Sequence, residues 1–389
     1  MKEGKTKLLV VSHAFAPYAS GSAVLLANLL REYPGECMAI GGYSRYMKED
    51  KSFTPPCPTV FLKPLKGKFF ELAYAKFMNN NRWYVRRFIE KQVKKFRPDA
   101  ILGAFPHSTF FIAAFEVARK MGLPFYAHMH DLWQENYPEG YYAKKLADQY
   151  EALILKNAAR VYCMTSTQAE HYAKKYGIAP EILPHTIPQK DLQDLQYRPL
   201  TGQEKKVLFA GALSDVMNAD ALSVFSQAIR QLPDGTTVNF FTSASAEQLE
   251  KNGIDVSKLN LKWVSRAELE KELKTSAVLF APLSHKNCSA LEVKTVFSTK
   301  LLEYLVAGRP ILLFAPADSF HTTSARKNDW AQVVDQDDPT ALYKGLQELL
   351  QNEARCREVV DGAFREARER NAVIFARQLD EAVRKDSRR

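Results

Sequence analysis

The sequence has 389 residues, of which 46% are hydrophobic and 25% charged, the balance of an ordinary globular protein. Its 23 Phe, 17 Tyr and 4 Trp exclude a disordered chain. Hydrophobic runs such as 8–11 and 311–314 are too short for a transmembrane helix. The five cysteines are scattered, which favours a reducing compartment without structural disulfides or a zinc site. We therefore expect a cytoplasmic protein of two domains, with a net charge of +10 to explain.

The first half of the chain alternates strand-like and helix-like segments. Short hydrophobic runs predict strands at residues 7–11, 36–40, 100–103, 125–128 and 161–164. Helical periodicity predicts helices at residues 24–30, 85–96, 110–120 and 143–157. This alternation is typical of a parallel sheet with helices on both faces.

The pattern restarts after a polar, Pro-containing stretch at residues 186–204. Strands are predicted at residues 207–210, 238–241, 278–281 and 311–314, and helices at 219–230, 268–273 and 299–307. A helical tail follows over 339–385, with a predicted break near Asp361-Gly362. We expect two Rossmann-like α/β domains at 1–188 and 205–370, a linker at 189–204 and a C-terminal helix at 371–389. Because ligands bind at the carboxyl ends of parallel strands, the site is expected in the cleft between the domains.

The positive charge is concentrated between residues 63 and 97, which include eleven basic and two acidic residues. Val85, Ile89, Val93 and Phe96 recur at helical spacing and predict a buried stripe opposite the basic face. Three interpretations remain open: a solvated helix face, docking on an anionic membrane, and nucleic-acid binding. The last lacks any recognisable binding signature, so we expect no nucleic acid partner. The candidate acceptor or membrane face is Lys68, Arg82, Trp83, Arg86, Arg87, Lys91, Lys94 and Lys95.

Two loops of the first domain follow predicted strands. The loop at 12–22 contains Gly21 and opens a helix, so its backbone N–H groups suit a phosphate; an ordinary strand-to-helix turn is the alternative. In the second loop, His130 beside Asp131 suits a sugar hydroxyl or a proton shuttle. His128 and His130 also suggest a metal, but no third ligand is apparent, and we expect none.

The most informative segment is residues 298–310. Ser298 is predicted to cap a helix of about two and a half turns, which ends at Gly308 and Pro310. Lys300 suits a diphosphate and Glu303 suits ribose hydroxyls. A simple salt bridge between these two residues is the alternative.

Taken together, these segments resemble family 4 of the retaining, nucleotide-sugar-dependent glycosyltransferases, which have the GT-B fold. The resemblance runs over nearly the whole chain and includes His130-Asp131-Leu132-Trp133. It is strongest at Ser298-Thr299-Lys300-Leu301-Leu302-Glu303-Tyr304, which is similar to a subgroup with a Ser-Thr-Lys-Leu-x-Glu-Tyr helix at the donor site.

The resemblance implies that the second domain binds the nucleotide sugar and the first binds the acceptor. Glu303 corresponds to the family's ribose-binding glutamate and His130 to its cleft histidine, which makes these two the catalytic candidates. The implied donor-binding residues are Gly21, Ser22, Gly211, Arg266, Ser298, Thr299, Lys300 and Glu303. Candidates for donor-sugar contacts are Thr295, Val296 and Phe297.

The sequence departs from the family pattern at two places. Thr295 stands where the family's Glu-x7-Glu motif has its first glutamate. The loop 212–218 lacks the Arg and Lys that many members direct at the diphosphate, and such groups are worth about 3–4 kcal/mol each. The cations left to compensate are Lys300, Lys294, Lys286 and Arg266.

We therefore predict a retaining, metal-independent hexosyltransferase of cell-surface polysaccharide or glycolipid synthesis. Its donor is a nucleotide sugar such as a UDP- or GDP-sugar, with no further cofactor. Its acceptor is a glycan or lipid-linked glycan, reached by peripheral contact with the anionic inner face of the cytoplasmic membrane. Two alternatives remain: a degenerate GT-B scaffold subunit, motivated by Thr295 and the missing Arg-Lys pair, and a non-hydrolysing sugar-nucleotide epimerase.

Overall fold

The computed structural model describes residues 4–18, 20–42, 49–50, 53–62, 82–137, 139–199, 205–286 and 290–387. Lys68, predicted for the acceptor face, lies outside these residues. The chain forms two compact units. The first consists of Met1–Gln189 with Asn371–Arg389, and the second of Lys190–Arg370.

The first unit is built on a seven-stranded parallel sheet of order β3-β2-β1-β4-β5-β6-β7. Its strands are β1 (Lys7–Val11), β2 (Glu36–Gly42), β3 (Thr59–Leu62), β4 (Ala100–Phe105), β5 (Phe125–Met129), β6 (Arg160–Cys163) and β7 (Glu181–Ile182). Its helices include α1 (Gly21–Arg31), α2 (Arg82–Phe96), α3 (Ser108–Met121), α4 (Tyr142–Asn157) and α5 (Ser166–Tyr176). Leu8 and Val10 are fully buried, as expected of a central strand covered on both faces.

The second unit repeats this plan with a six-stranded parallel sheet of order β10-β9-β8-β11-β12-β13. Its strands are β8 (Lys205–Ala210), β9 (Thr236–Phe241), β10 (Leu259–Lys262), β11 (Val278–Pro282), β12 (Ile311–Phe314) and β13 (Gln332–Val334). Its helices include α6 (Ala219–Ala228), α7 (Ala246–Lys251), α8 (Arg266–Thr275), α9 (Ala290–Thr295), α10 (Lys300–Val306), α11 (Phe320–Asn328), α12 (Pro339–Gln351) and α13 (Glu353–Glu369). The predicted class of two Rossmann-like α/β domains is confirmed.

The last helix, Ala372–Asp386, belongs to the first unit although it follows the second in sequence. It begins where the Ala372 N–H donates a 2.9 Å hydrogen bond to the Ile187 carbonyl. At its end, the Asp386 carboxylate accepts from Arg160 Nε at 2.7 Å and from the Tyr126 hydroxyl at 3.0 Å. These contacts attach both ends of the helix to the first sheet.

The predicted helix break at Asp361-Gly362 is wrong, since α13 runs through it. The tail breaks instead at Asn352 and Asn371, whose side chains cap the helices that follow. A Cβ at Gly362 would lie 2.0 Å from the Asp329 carbonyl oxygen. The glycine therefore allows a close helix contact and does not end the helix.

Two cysteines come together in space, contrary to the scattered arrangement expected from the sequence. Strands β2 and β3 pair with Ala39 opposite Thr59. Cys37 precedes Ala39 by two residues and Cys57 precedes Thr59 by two residues, so the two cysteines also lie side by side. Their thiols are hydrogen-bonded, which lowers the pKa of Cys37, and both remain free.

Gly308 ends α10 as predicted, with a left-handed φ of +72° and no room for a side chain. A Cβ there would lie 2.3 Å from the Gln196 carbonyl oxygen, whereas one at Gly235, with φ +88°, would meet nothing within 4 Å. Because both replacements carry the left-handed penalty, we expect Gly235→Ala to cost about 1 kcal/mol and Gly308→Ala about 3 kcal/mol or more. Urea unfolding of the two variants measures this difference. Equal losses would contradict the packing account.

Candidate functional site

Two predicted residues of the first unit, Ser22 and His130, lie in direct contact. Ser22 is in the first turn of α1, whose N-terminus is fixed by the Ser20 hydroxyl accepting from the Ala23 N–H at 3.2 Å. His130 follows β5, and its Nδ1 is 2.9 Å from Ser22 Oγ. Gly21, the first residue of α1, is exposed. The carboxyl ends of β1 and β5 thus present a hydroxyl and an imidazole at one place.

Behind His130 lies a second imidazole, that of the fully buried His128. Its Nδ1 is 3.3 Å from His130 Nε2, and its own Nε2 is 3.0 Å from the Leu183 carbonyl oxygen. Burial lowers the pKa of His128 to about 4 and that of His130 well below its usual value, so both rings are neutral near pH 7. Throughout the described ranges, no group of three or more His, Cys, Asp or Glu side chains is arranged to hold a metal.

The loop after His130 is anchored from two sides. The buried Trp133 donates from Nε1 to Ser108 Oγ at 3.1 Å. The Gln134 N–H donates to the Glu151 carboxylate at 2.8 Å, and Glu151, fully buried, also pairs with Lys175 at 2.8 Å. A loop held this way keeps His130 fixed relative to α1.

In the second unit, Lys300 lies against the carboxyl end of β8. Its Nζ is 4.7 Å from the centre of the Phe209 ring. A Cβ added to Gly211 would approach that Nζ to 2.2 Å, so the ammonium group rests on the glycine backbone. Burial lowers the pKa of Lys300 to about 8. Lys300 and Gly211, both predicted for the donor site, are therefore neighbours.

Glu303 pairs with Arg266 and not with Lys300. Arg266 Nη2 lies 3.6 Å from Glu303 Oε1, and both side chains are substantially exposed. The alternative of a Lys300–Glu303 salt bridge is therefore wrong. Partial desolvation raises the pKa of Glu303, and its long contact with Arg266 leaves the carboxylate partly exposed.

Among the four cations expected to compensate for the missing Arg-Lys pair, three have carboxylate partners. Lys294 pairs with Asp318 at 2.7 Å, Lys286 with Asp337 at 3.5 Å, and Arg266 with Glu303. In the part of the chain that the structure describes, Lys300 has no ion-pair partner. Lys300 is therefore a desolvated cation next to Gly211 that has no carboxylate partner among the described residues.

The predicted N-cap at Ser298 is wrong. α10 begins at Lys300 after Thr299, which has helical backbone angles and makes no capping bond with its side chain. The Ser298 N–H instead donates to the buried His321 Nε2 at 3.1 Å, so it is not available to an anion. His321 had no sequence signal, because it lies 23 residues downstream.

The three donor-sugar candidates differ in their surroundings. The Thr295 hydroxyl donates to the Leu291 carbonyl of its own helix at 2.9 Å. The Phe297 ring is 3% exposed and packs between His321, stacked at 5.4 Å, and Arg370 at 3.8 Å. Because both ring faces are covered, the predicted sugar contact at Phe297 is left to its backbone and stays a prediction. Val296 is partly exposed and stays a prediction.

The basic face of α2 is smaller than predicted. Arg82 pairs with Glu116 at 3.0 Å and stacks on Tyr150 at 4.7 Å, which removes it from the face. Arg86 makes longer contacts with Glu90 and Glu116. The residues that stay exposed, with no ion pair among the described side chains, are Arg87, Lys91, Lys94 and Lys95.

Trp83, 53% exposed, lines a surface pocket of about 550 Å³. The other lining residues are Arg86, Arg87, Glu90, Lys91, Lys94 and Lys120. The predicted buried stripe is confirmed for Val85, Ile89 and Val93. None of the helices in the described ranges is long and apolar enough to cross a bilayer.

Two family models match the chain in succession. Residues 62–188 match the model described as Glycosyltransferase Family 4, and residues 204–352 match Glycosyl transferases group 1. No curated protein matches the sequence.

Solved structures of the same fold cover nearly the whole chain. The sucrose-phosphate synthase of Thermosynechococcus elongatus aligns with a TM-score of 0.73 at 14% identity, covering 98% of each chain. A structure described as trehalose-6-phosphate from E. coli bound with UDP-2-fluoro glucose aligns at 0.68 and 12% identity, over 97% of this chain and 99% of that one. Anabaena HepE in complex with UDP-glucose aligns at 0.65 and 12% identity, over 98% and 100%. At such identities the likeness shows a shared fold, which is GT-B.

Replacing Lys300 by Met tests whether the ammonium group is uncompensated. Its pKa is about 8 in the folded protein against 10.5 for an ordinary lysine, so between these pH values the unfolded chain holds more protons. Wild-type stability therefore rises across that interval relative to Lys300→Met. We expect Lys300→Met to be at least as stable as wild type at pH 7, with its relative stability falling by pH 10.

Urea unfolding at the two pH values measures this change, and Lys294→Met, which removes a paired lysine, is the control. If Lys300→Met were destabilised at pH 7 as much as Lys294→Met, Lys300 would have a counter-charge.

Proposed function

We propose that the chain is a glycosyltransferase of the GT-B fold that transfers a sugar with retention from a nucleotide diphosphate sugar to a glycan or lipid-linked acceptor. Two successive glycosyltransferase models and a full-length match to GT-B structures support the class. The positions of Lys300, Gly211 and Glu303 support a nucleotide diphosphate sugar as the donor.

The observation that carries the proposal is the Lys300 ammonium group at the end of β8. It is desolvated, rests on Gly211 and, among the described residues, has no carboxylate partner. A diphosphate would supply the missing negative charge, and charge-assisted hydrogen bonds of this kind are the strong ones. Gly211 leaves the backbone open for close approach of the phosphates, as glycines do at phosphate sites.

Glu303 is proposed to bind the ribose hydroxyls. It is one helical turn from Lys300 on α10, and its carboxylate stays partly exposed beside Arg266. A carboxylate accepts two hydroxyl hydrogen bonds at once, which suits a vicinal diol. Ser298 contributes no N–H to this site, so Lys300 carries most of the donor's phosphate recognition.

UDP-glucose is the first donor to test. The solved structures of the same fold include complexes with UDP-2-fluoro glucose and with UDP-glucose. A GDP-sugar is the second donor to test, since the sequence offers no residue that selects the base.

We propose retention without a protein nucleophile and without an essential metal. The imidazole of His130 is neutral and hydrogen-bonded, which suits a sugar-hydroxyl contact better than covalent attack. Oxygens of the donor diphosphate would assist deprotonation of the acceptor hydroxyl on the same face of the sugar, while Lys300 stabilises the charge of the leaving group.

The acceptor is proposed to be a glycan carried by an anionic membrane, in cell-surface polysaccharide or glycolipid synthesis. Support comes from the exposed cations Arg87, Lys91, Lys94 and Lys95 on one face of α2 and from Trp83 at its edge. A basic helix face with an aromatic side chain is typical of interfacial binding.

Donor binding is tested by calorimetry with UDP-glucose. Lys300→Met removes a charge-assisted contact worth about 1.5–3 kcal/mol, so we expect a 10- to 100-fold weaker Kd, whereas Lys294→Met should bind normally.

Glu303→Gln should abolish transfer without loss of fold. Its control, Glu270→Gln, lies on α8 in an exposed pair with Lys274 and should stay active. Full activity of Glu303→Gln would overturn the site assignment.

Incubation of the wild-type protein and its variants with a membrane extract distinguishes the transferase from a scaffold subunit and from an epimerase. Transfer of glucose to extract lipid or glycan supports the proposal. Binding of nucleotide sugars without turnover points to a scaffold subunit, and isomerised donor points to an epimerase.

Membrane contact is tested by co-sedimentation with vesicles containing anionic lipid. Each basic residue near such a surface contributes about 1 kcal/mol, so charge reversal of Lys91, Lys94 and Lys95 should weaken binding by about 100-fold or more at low salt. The control is reversal of three exposed lysines of the second unit: Lys258, Lys262 and Lys327. Wild-type binding should vanish near 1 M salt, where the screening length is about 3 Å. Binding that is unchanged by salt would rule out electrostatic docking.

A further inference from the structure

His128, buried behind the His130 imidazole, is absent from every role assigned above. Four groups form a chain: the Ser22 hydroxyl, His130, His128 and the Leu183 carbonyl. The successive distances are 2.9, 3.3 and 3.0 Å. All four belong to the first unit.

The fixed end of this chain determines where each hydrogen lies. A carbonyl oxygen only accepts, so His128 Nε2 carries the hydrogen and donates to Leu183. Neutral His128 then has a lone pair at Nδ1, which accepts from His130 Nε2–H. His130 in turn has its lone pair at Nδ1, and it accepts the hydrogen of the Ser22 hydroxyl.

The opposite tautomer of His130 is disfavoured by the same geometry. It would turn the Nε2 lone pair toward the lone pair of His128 Nδ1 at 3.3 Å. Reversing His128 as well would turn its lone pair toward the Leu183 oxygen at 3.0 Å. Because the His128 ring is fully buried, neither mismatch at its nitrogens is relieved by water.

We propose that His128 is a positioning residue that holds His130 in the Nε2–H tautomer, so that His130 Nδ1 accepts a hydrogen bond from a hydroxyl. In the free protein that hydroxyl is Ser22. In the complex it is a hydroxyl of the sugar, and only this last identification rests on the proposed function. His130 thereby selects a group that donates and rejects one that only accepts, such as a carbonyl or a deoxy position.

Two variants of His128 form a matched pair, because each removes a different one of its two hydrogen bonds. In His128→Asn, the amide oxygen takes the place of Nδ1 and still accepts from His130, while the bond to Leu183 is lost. In His128→Gln, the amide nitrogen takes the place of Nε2 and still donates to Leu183, while the acceptor for His130 is lost. Each variant loses one buried hydrogen bond, so a merely structural role would affect both alike.

The experiment is nitrogen NMR of the full-length protein labelled at its histidine rings, with the His130 signals identified by their loss in His130→Gln. Wild type and His128→Asn should show His130 as the single Nε2–H tautomer, and His128→Gln should show a mixture. Thermal unfolding should place the two His128 variants at similar midpoints. An unchanged His130 tautomer in His128→Gln would overturn the proposal, whether or not the protein transfers sugar.

Activity with UDP-glucose gives the second readout. Because an incorrect tautomer removes a hydrogen bond made during the reaction, kcat of His128→Gln should fall about tenfold or more. KM for the donor should change little, and His128→Asn should retain most of the activity. Equal kcat losses in both variants would show that His128 has only a structural role.

Discussion

The ammonium group of Lys300, which has no carboxylate partner among the described residues, is the constraint from which the proposed donor site follows. Lys300 is half-buried against Gly211 and Phe209, and desolvation lowers its pKa to about 8. A protein keeps a desolvated cation at a cost, and a ligand that supplies the negative charge offsets that cost. The other cations expected to help, Lys286, Lys294 and Arg266, are held by carboxylates of their own.

At the candidate site of the first unit, by contrast, the two imidazoles are neutral. Burial keeps His128 and His130 uncharged, and their hydrogen bonds run in one direction from Ser22 to the Leu183 carbonyl. On the proposed function, this hydrogen-bonded series accepts a sugar hydroxyl and Lys300 binds an anion. Six basic residues and one acidic residue of α2 contribute to the net charge of +10.

The sequence predicts the two α/β units well, because buried parallel strands give continuous hydrophobic runs such as Lys7–Val11. It fails where a residue's role depends on a distant neighbour. Gly362 resembles a helix stop, but the backbone of Asp329 explains it. Ser298 resembles an N-cap, but His321 takes its N–H. His128 has no recognisable role until β7 brings Leu183 beside it.

The most direct test of the central claim is the number of protons taken up when UDP-glucose binds at pH 8, measured by calorimetry in buffers of different ionisation enthalpy. Lys300 is about half protonated at that pH if its pKa is about 8, and a bound diphosphate favours the charged form. The account predicts uptake of about half a proton in wild type and none in Lys300→Met. Binding without proton uptake, or equal uptake in both proteins, would contradict it.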